Sequence, residues 1–173
     1  GLNLCPFAGR AFDAGLIRYA VSDARDERTL LADLTAEFDR LAAAPPAELE
    51  TTLLIHPHVL GDFLDYNDFL GVAERQIKKR GKLGVLQVAS FHPLYQFEDT
   101  QPDDVENYTN RSPYPMLHLL REASITAIAD DPDALLEIPR RNVALLRRLG
   151  RERMQQMLRA TQTGPDGTPT SPS

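Results

Sequence analysis

The sequence has a single cysteine among its 173 residues, so it cannot form an intramolecular disulfide framework. It contains no apolar run near the roughly 18–20 residues of a membrane-spanning helix, and no basic-then-apolar signal segment. Positive charge is scarce, because 19 basic residues against 25 acidic ones give a net charge of −6. These features predict a cytoplasmic protein that contacts neither a membrane nor nucleic acid.

Several motifs of common enzyme classes are missing as well. There is no GxGxxG opening a helix, no GxxxxGK[ST], no GxSxG and no set of kinase motifs. Ordinary dinucleotide-binding enzymes, P-loop enzymes and α/β-hydrolases are therefore disfavoured. The zinc-binding spacings HExxH and paired CxxC are absent too.

The composition is that of one folded domain. A 42% share of hydrophobic and a 25% share of charged residues is ordinary for a globular chain. We predict a single globular domain over residues 1–160 and a disordered tail over residues 161–173, which are rich in Thr, Pro, Gly and Ser. The start at Gly1 suggests a missing upstream segment or a residue left from a tag.

Hydrophobic periodicity predicts alternating strands and helices. Strands are expected over residues 15–21, 51–55 and 85–89, with helices over residues 26–44 and from residue 63 to a stop at Gly81. Long helical crossovers imply a largely parallel sheet, or a split β-α-β arrangement if the first strand pairs antiparallel. The fold class is thus α/β, or α+β if the strand order is mixed. We expect a small two- or three-layer sandwich with about three to four strands covered by helices.

The last third is predicted to be helical. Ser112 and Pro113 are typical of an N-cap and first helical residue, and they would open a helix that continues to Ile128. Asp131-Pro132 would start a short helix. Pro139 would interrupt it, and a further helix would end at Gly150.

Uncommon polar side chains are concentrated in residues 90–122. This segment leaves the C-terminal end of a predicted strand, where open α/β sheets usually bind ligands. His92 stands at that strand end and is the first choice for a general acid or base. The alternative is a surface loop that only caps the sheet.

Arg111 and Ser112 lie at the predicted helix start, a position that attracts carboxylate or phosphate. Alternatively, Arg111 orders the loop by pairing with Asp103, Asp104 or Glu106. His118 and Arg121, three residues apart, would share one face of that helix. His118 could also be a hydrogen-bonded core residue.

Cys5 is a candidate nucleophile if a histidine lowers its pKa, and otherwise an inert buried thiol. His92, His118 and Asp104 could together bind iron or zinc, although no standard spacing supports a metal site. His56 and His58 are weaker candidate ligands, because they could simply cap a strand.

Three strings carry a resemblance: GLNLCPFA at 1–8, ASFHPLYQF at 89–97 and ENYTNRSPYPMLHLLREAS at 106–124. With these the chain resembles the bacterial and plant family known as domain of unknown function 1415, from residue 1 to about residue 150. The resemblance implies which blocks define the group and implies no reaction. His56 and His58 lie outside these strings.

The leading hypothesis is a small-molecule enzyme with a polar pocket at the C-terminal ends of the strands, using histidine acid–base chemistry on an anionic substrate, with or without metal assistance. The residues expected in that pocket are His92, His118 and Cys5 for catalysis, and Arg111, Arg121, Ser112, Asn107, Asn110, Asp104 and Tyr95 for binding. The competing hypothesis is a non-catalytic module that recognises an acidic ligand or protein through the TNRSPYP loop. A structural subunit of a larger assembly is a third.

Overall fold

The computed structural model describes residues 2, 4–128 and 132–161. Within these residues four strands form one sheet. In chain order the elements are α1 (Pro6–Asp13), β1 (Ile17–Val21), α2 (Glu27–Ala43), β2 (Thr51–Ile55), α3 (Phe63–Lys79), β3 (Leu86–Phe91), a 3-10 helix (Val105–Thr109), β4 (Met116–Arg121), α4 (Glu122–Ile128), α5 (Pro132–Leu149) and α6 (Arg151–Ala160).

The sheet is mixed, with the strand order β1-β2-β4-β3, and the fold is α+β. β1 and β2 pair in parallel across the α2 crossover, whereas β4 lies antiparallel between β2 and β3. The expectation of a largely parallel sheet is therefore wrong. The split β-α-β alternative does occur, in the unit β2-α3-β3, with β4 inserted between its two strands. The antiparallel strand is thus β4, whereas the expectation was that the first strand would pair antiparallel.

Helices α2 and α3 cover one face of the sheet, which we call the closed face. Side chains alternate between the two faces of a strand, and the closed-face positions are strongly apolar. Leu54 of β2 and Leu117 and Leu119 of β4 are at most 1% exposed in a single core with α2 and α3. Burial of this apolar surface is the main force that holds the sheet to its helices.

The closed-face helices begin where their sequences predict. Asp26 caps α2 by accepting a hydrogen bond from the Thr29 amide at 2.9 Å. Asp62 caps α3 by accepting one from the Leu64 amide at 2.8 Å.

The opposite face, which we call the open face, is covered only in part. α1 and α4 contact each other, and α4 also packs on β4. Farther along the sheet, Tyr19 and Val21 of β1 remain 56% and 62% exposed. A cavity lies where α1 and α4 meet the sheet.

The predicted helix from Ser112 to Ile128 is wrong in its first half. Residues Met116–Arg121 form β4, and only Glu122–Ile128 is helical. The apolar spacing suits a helix, but β4 carries apolar residues on both faces, Leu117 and Leu119 on the closed face and Met116 and Leu120 on the other, so the polar–apolar alternation of a half-buried strand is missing.

α5 and α6 pack against the 3-10 helix of the loop between β3 and β4. Pro139 lies inside a continuous α5, so the predicted interruption is wrong. Gly150 separates α5 from α6 with a φ of 80°, a conformation that favours glycine. α1 and α6 were not predicted from the sequence. Residues 162–173 of the predicted tail lie outside the described residues.

Across the described ranges, every helix is too short or too polar to pass through a lipid bilayer.

Candidate functional site

His92 is fully buried on the closed-face side of the sheet. Its Nε2–H donates to the Leu60 carbonyl at 3.1 Å, and its Nδ1 accepts from the Leu94 amide at 3.0 Å. The ring packs against Phe63 and Tyr66 of α3, with centroids 5.5 and 5.0 Å away. Because both ring nitrogens have backbone partners, His92 holds two loops together and keeps no free lone pair for proton transfer.

The polar side chains of the loop between β3 and β4 mostly bind the loop itself. Asn107 is fully buried, where its Nδ2 donates to the Gln101 carbonyl and its Oδ1 accepts from the Phe97 amide. The side-chain Nδ2 of Asn110 donates to the Ser90 carbonyl at 2.9 Å. This is the pattern expected of a loop that orders itself.

Other residues proposed from the sequence take part in the same network. The Asp104 carboxylate accepts from the Gln101 amide at 2.8 Å. The Arg111 guanidinium donates to the carbonyls of Tyr95 and Pro102, at 3.2 and 2.7 Å. Tyr95 itself contacts Phe63 and Phe97 through its ring.

Arg111 and Ser112 do not stand at a helix start, because the chain enters β4 after them. The Ser112 hydroxyl donates to the Tyr114 carbonyl at 2.6 Å instead of capping a helix. The expected partners of Arg111 are engaged elsewhere, since Asp103 pairs with Arg151 and Glu106 with Arg147. Arg111 does order the loop, but it does so through backbone carbonyls and not through carboxylates.

His118 lies on the open face, opposite to His92. It pairs with Leu53 of β2 and Ala89 of β3, and it lines the cavity under α1 and α4. The cavity has a volume of about 410 Å³, within the usual range of small-molecule sites. Its wall is mainly apolar, with Ala8, Ala11, Ile17, Leu53, Leu120 and Ile125 among its lining residues.

This cavity lies at the other end of the sheet from the expected pocket. It is bordered by the start of β1, the start of β2 and the end of β4, through Ile17, Thr51 and Arg121. The loop that follows His92 leaves from the end of β3, where Phe91 pairs with Met116 at the start of β4. The structure therefore does not bring His92, Arg111 and His118 into one cleft.

A short hydrogen-bond chain fixes the His118 ring. The Thr51 hydroxyl donates to the Leu119 carbonyl at 2.5 Å, so its oxygen accepts from His118 Nε2–H at 2.7 Å. That assignment leaves a lone pair on Nδ1, which has no hydrogen-bond partner in the part of the chain that the structure describes. Burial lowers the pKa of His118 to about 4, because a charged imidazole would lose its hydration. At neutral pH the ring is a hydrogen-bond acceptor at Nδ1.

Arg121 borders the cavity but faces the other way. Residues three apart on a strand point to opposite faces, so the expected shared face with His118 is wrong. Its Nη2 donates to the carbonyls of Leu41 and Ala44 at the end of α2, at 2.6 and 2.7 Å. Arg121 thereby ties β4 to α2, where a cation also suits the helix dipole.

Cys5 is a half-buried free thiol at the N-cap position of α1, and it is not among the residues that line the open-face cavity. The three residues considered as metal ligands lie in different parts of the fold. His118 is on the open face, bonded to Thr51, and His92 is on the closed-face side, bonded to Leu60. Asp104 is in the loop between β3 and β4, bonded to Gln101. Over residues 2, 4–128 and 132–161, no three His, Cys, Asp or Glu side chains cluster as metal ligands would.

Thr51 is the site residue that the sequence analysis missed. It is one of two buried threonines that begin the strand TTLLI, and two hydroxyl residues in a buried-type strand were the available signal. Its partner, however, lies 67 residues away, and only the pairing of β2 with β4 brings them together.

Comparison with known proteins gives one match. Residues 1–156 match a family described as a protein of unknown function, DUF1415. Neither a curated protein nor a solved structure matches the chain.

Proposed function

The chain belongs to the DUF1415 family, and we propose that it is a small-molecule enzyme whose substrate binds in the open-face cavity and reacts with His118. One observation carries the proposal: a neutral imidazole, held by Thr51 in one tautomer, lines a mostly apolar cavity of about 410 Å³. A base oriented by a third group is the usual arrangement for proton transfer.

The chemistry of His118 also indicates what it would bind. With a pKa of about 4 the ring is uncharged at pH 7, and its Nδ1 lone pair favours a hydrogen-bond donor over a carboxylate. The substrate group at this position is therefore a hydroxyl, carried on a largely apolar body that fits the cavity wall. His118 Nδ1 accepts a hydrogen bond from this hydroxyl and so makes its oxygen more nucleophilic, while the Thr51 oxygen accepts from Nε2–H and keeps the ring in this tautomer.

The non-catalytic alternative, recognition through the TNRSPYP loop, has less support. The Asn110 and Ser112 side chains donate to backbone carbonyls of the protein itself, and Arg111 does so through Nε and Nη2, so that Arg111 Nη1 is the donor of this loop that no described residue uses. We also propose that the protein is cytoplasmic.

Binding can be tested with benzyl alcohol and its analogue without a donor, benzyl methyl ether. We expect benzyl alcohol to shift the His118 imidazole nitrogen resonances saturably, with the larger change at Nδ1. The ether should leave Nδ1 nearly unchanged. His56 and His92, both fully buried on the closed-face side, serve as internal references. An Nδ1 response that is absent, or equal for the two compounds, contradicts the proposal.

A matched pair of tryptophan variants tests the location. Ala8→Trp places an indole in the cavity, whereas a side chain at Gly9 meets no atom within 4 Å, so Gly9→Trp points away from it. We expect Ala8→Trp to abolish the benzyl alcohol response and Gly9→Trp to keep it. Equal responses in the two variants would place the probe elsewhere.

Turnover is tested on a mixture of bacterial metabolites followed by mass spectrometry. We expect at least one hydroxyl compound to be consumed by the parent protein and by Gly9→Trp. It should persist with His118→Gln, since one general base contributes about 10²–10⁴-fold to a rate. Consumption at the parent rate by His118→Gln would rule out His118 as the base.

A further inference from the structure

A groove that shares no lining residue with the His118 cavity lies between Leu2 and Leu4, the loop before β4, and α6. Its volume is about 330 Å³. Five of its lining residues are apolar: Leu2, Leu4, Met154, Met157 and Leu158. Methionine side chains adapt to ligands of varied shape, so this wall suits an alkyl or other apolar group.

Arg111 brings a positive charge to this apolar groove. Its guanidinium lies 4.6 Å from the centroid of the Tyr108 ring, and both residues line the groove. Nε and Nη2 donate to two backbone carbonyls, which fixes the plane of the guanidinium. Nη1 makes no hydrogen bond to any described residue.

No carboxylate of the described residues neutralises this charge. None of their ion pairs includes Arg111. Of the acidic residues nearest in sequence, Glu106 pairs with Arg147 at 2.7 Å and Asp103 with Arg151 at 2.6 Å, and the Asp104 carboxylate accepts from the Gln101 amide at 2.8 Å. A cation held rigidly beside apolar surface, without a counter-ion, is a ready partner for an anion.

We propose that this groove binds an amphipathic organic anion, an alkyl chain that ends in a carboxylate. The carboxylate accepts hydrogen bonds from the Arg111 guanidinium, and the alkyl chain lies against Met154, Met157 and Leu158. This site is separate from the His118 cavity and goes beyond the proposed function. Either proposal can fail without the other.

The three methionines of the chain provide an internal control for the test. Met154 and Met157 line the groove, whereas Met116 starts β4 and does not. We label the methionine methyl groups with ¹³C and titrate the whole protein with octanoate. The expected result is saturable shifts of Met154 and Met157 with Met116 unchanged. Shifts of Met116 alone, or no saturable shift, would overturn the proposal.

Octanamide, the neutral analogue of octanoate, tests the contribution of charge. We expect octanoate to bind about tenfold more tightly than octanamide, because a charge-assisted hydrogen bond contributes at least that much. Arg111→Gln should remove this preference, while Arg148→Gln, an exposed arginine of α5, should preserve it. Equal affinity for the two compounds in the parent protein would show that Arg111 does not recognise an anion.

Arg111→Gln also weakens the loop, so a second variant leaves the loop bonds in place. Met157→Glu puts a carboxylate in the groove from α6, where it can pair with Arg111. We expect the octanoate-induced shift of Met154 to disappear in this variant. It should persist in Ala8→Trp, which fills only the His118 cavity. Unchanged octanoate binding by Met157→Glu would overturn the proposed site.

Discussion

The two faces of the sheet use the same residue type in opposite ways. On the closed-face side, His92 is fully buried and both of its ring nitrogens are bonded to backbone atoms. On the open face, His118 is bonded to the described residues through Nε2 alone, and it lines a cavity. Burial alone does not distinguish these two histidines, because His92 is 0% and His118 8% exposed. The useful difference is the unused nitrogen beside a cavity.

The closed face is also packed more completely than the open face. The closed face has two long, well-capped helices over a continuous apolar core. The open face has the two short helices α1 and α4, and it leaves Tyr19 and Val21 more than half exposed. The closed face therefore provides most of the packing that stabilises the fold, whereas the open face holds the cavity in which the proposed function places the substrate.

The sharpest test of this division compares two adjacent leucines of β4. Leu119 is fully buried on the closed face, whereas Leu120 is partly exposed and borders the cavity. Leu119→Ala should lower the free energy of unfolding by about 4 kcal/mol and Leu120→Ala by about 1 kcal/mol, since only the first leaves a closed void. Urea unfolding measures both values. Equal losses would show that the open face is as tightly packed as the closed one.

Acid should destabilise the fold through histidines on both faces. Burial lowers the pKa of His56 and of His118 to about 4, and it also lowers the pKa of His92. Below pH 6.5 the unfolded chain therefore binds protons that the folded chain does not, so stability falls until about pH 4. At 1.36 kcal/mol per pKa unit, His118 alone contributes a loss on the order of 3 kcal/mol.

The variant His118→Gln isolates that contribution from those of the other histidines. Between pH 7 and pH 4 the free energy of unfolding should fall in both proteins. We expect the fall in the variant to be smaller than the fall in the parent, and the difference between the two to be about 3 kcal/mol. Urea unfolding at each pH measures the difference, and titration of the imidazole resonances measures the pKa directly. Parallel pH profiles of the two proteins would be inconsistent with a buried, neutral His118.

Alanine at each of the two histidines should separate their roles at neutral pH. His92→Ala leaves the Leu60 carbonyl and the Leu94 amide without partners, so we expect a loss of about 2 kcal/mol in the free energy of unfolding. His118→Ala should cost about 1 kcal/mol, because Thr51 keeps its bond to Leu119 and water can enter the cavity. A larger loss for His118→Ala than for His92→Ala would reverse the comparison.

The closed face was largely predictable from the sequence, because its signals are local. The helix expected over residues 26–44 is α2 (Glu27–Ala43), and the strand expected over residues 51–55 is β2. Period-3.6 apolar positions and capping residues report on neighbours within a few positions along the chain. The long helices α2 and α3 carry these signals over 17 residues each.

The candidate site was less predictable, because it depends on contacts between distant segments. His118 was recognised as a candidate, but on a helix, since an apolar run such as MLHLLR fits a buried strand equally well. Its bond to Thr51 depends on the register of β2 against β4. The polar loop was recognised as unusual, but whether its side chains bind a ligand or its own backbone is decided only by the folded loop.

The smallest expected effect concerns α1, whose cap differs from those of the closed-face helices. Cys5 occupies the N-cap position in an extended conformation, φ −117° and ψ 100°, and its side chain makes no capping hydrogen bond. Serine in that position can accept one from the first turn, so Cys5→Ser should raise the free energy of unfolding by about 0.5 kcal/mol. The control is Asp26→Ala, which removes an existing cap and should lower the free energy of unfolding by about 1 kcal/mol.

Cys5→Ser also tests whether the thiol acts as a nucleophile. We expect this variant to consume the same metabolite as the parent, because Cys5 does not line the His118 cavity. If turnover is lost while stability rises, α1 carries a chemical role that the open-face cavity does not explain.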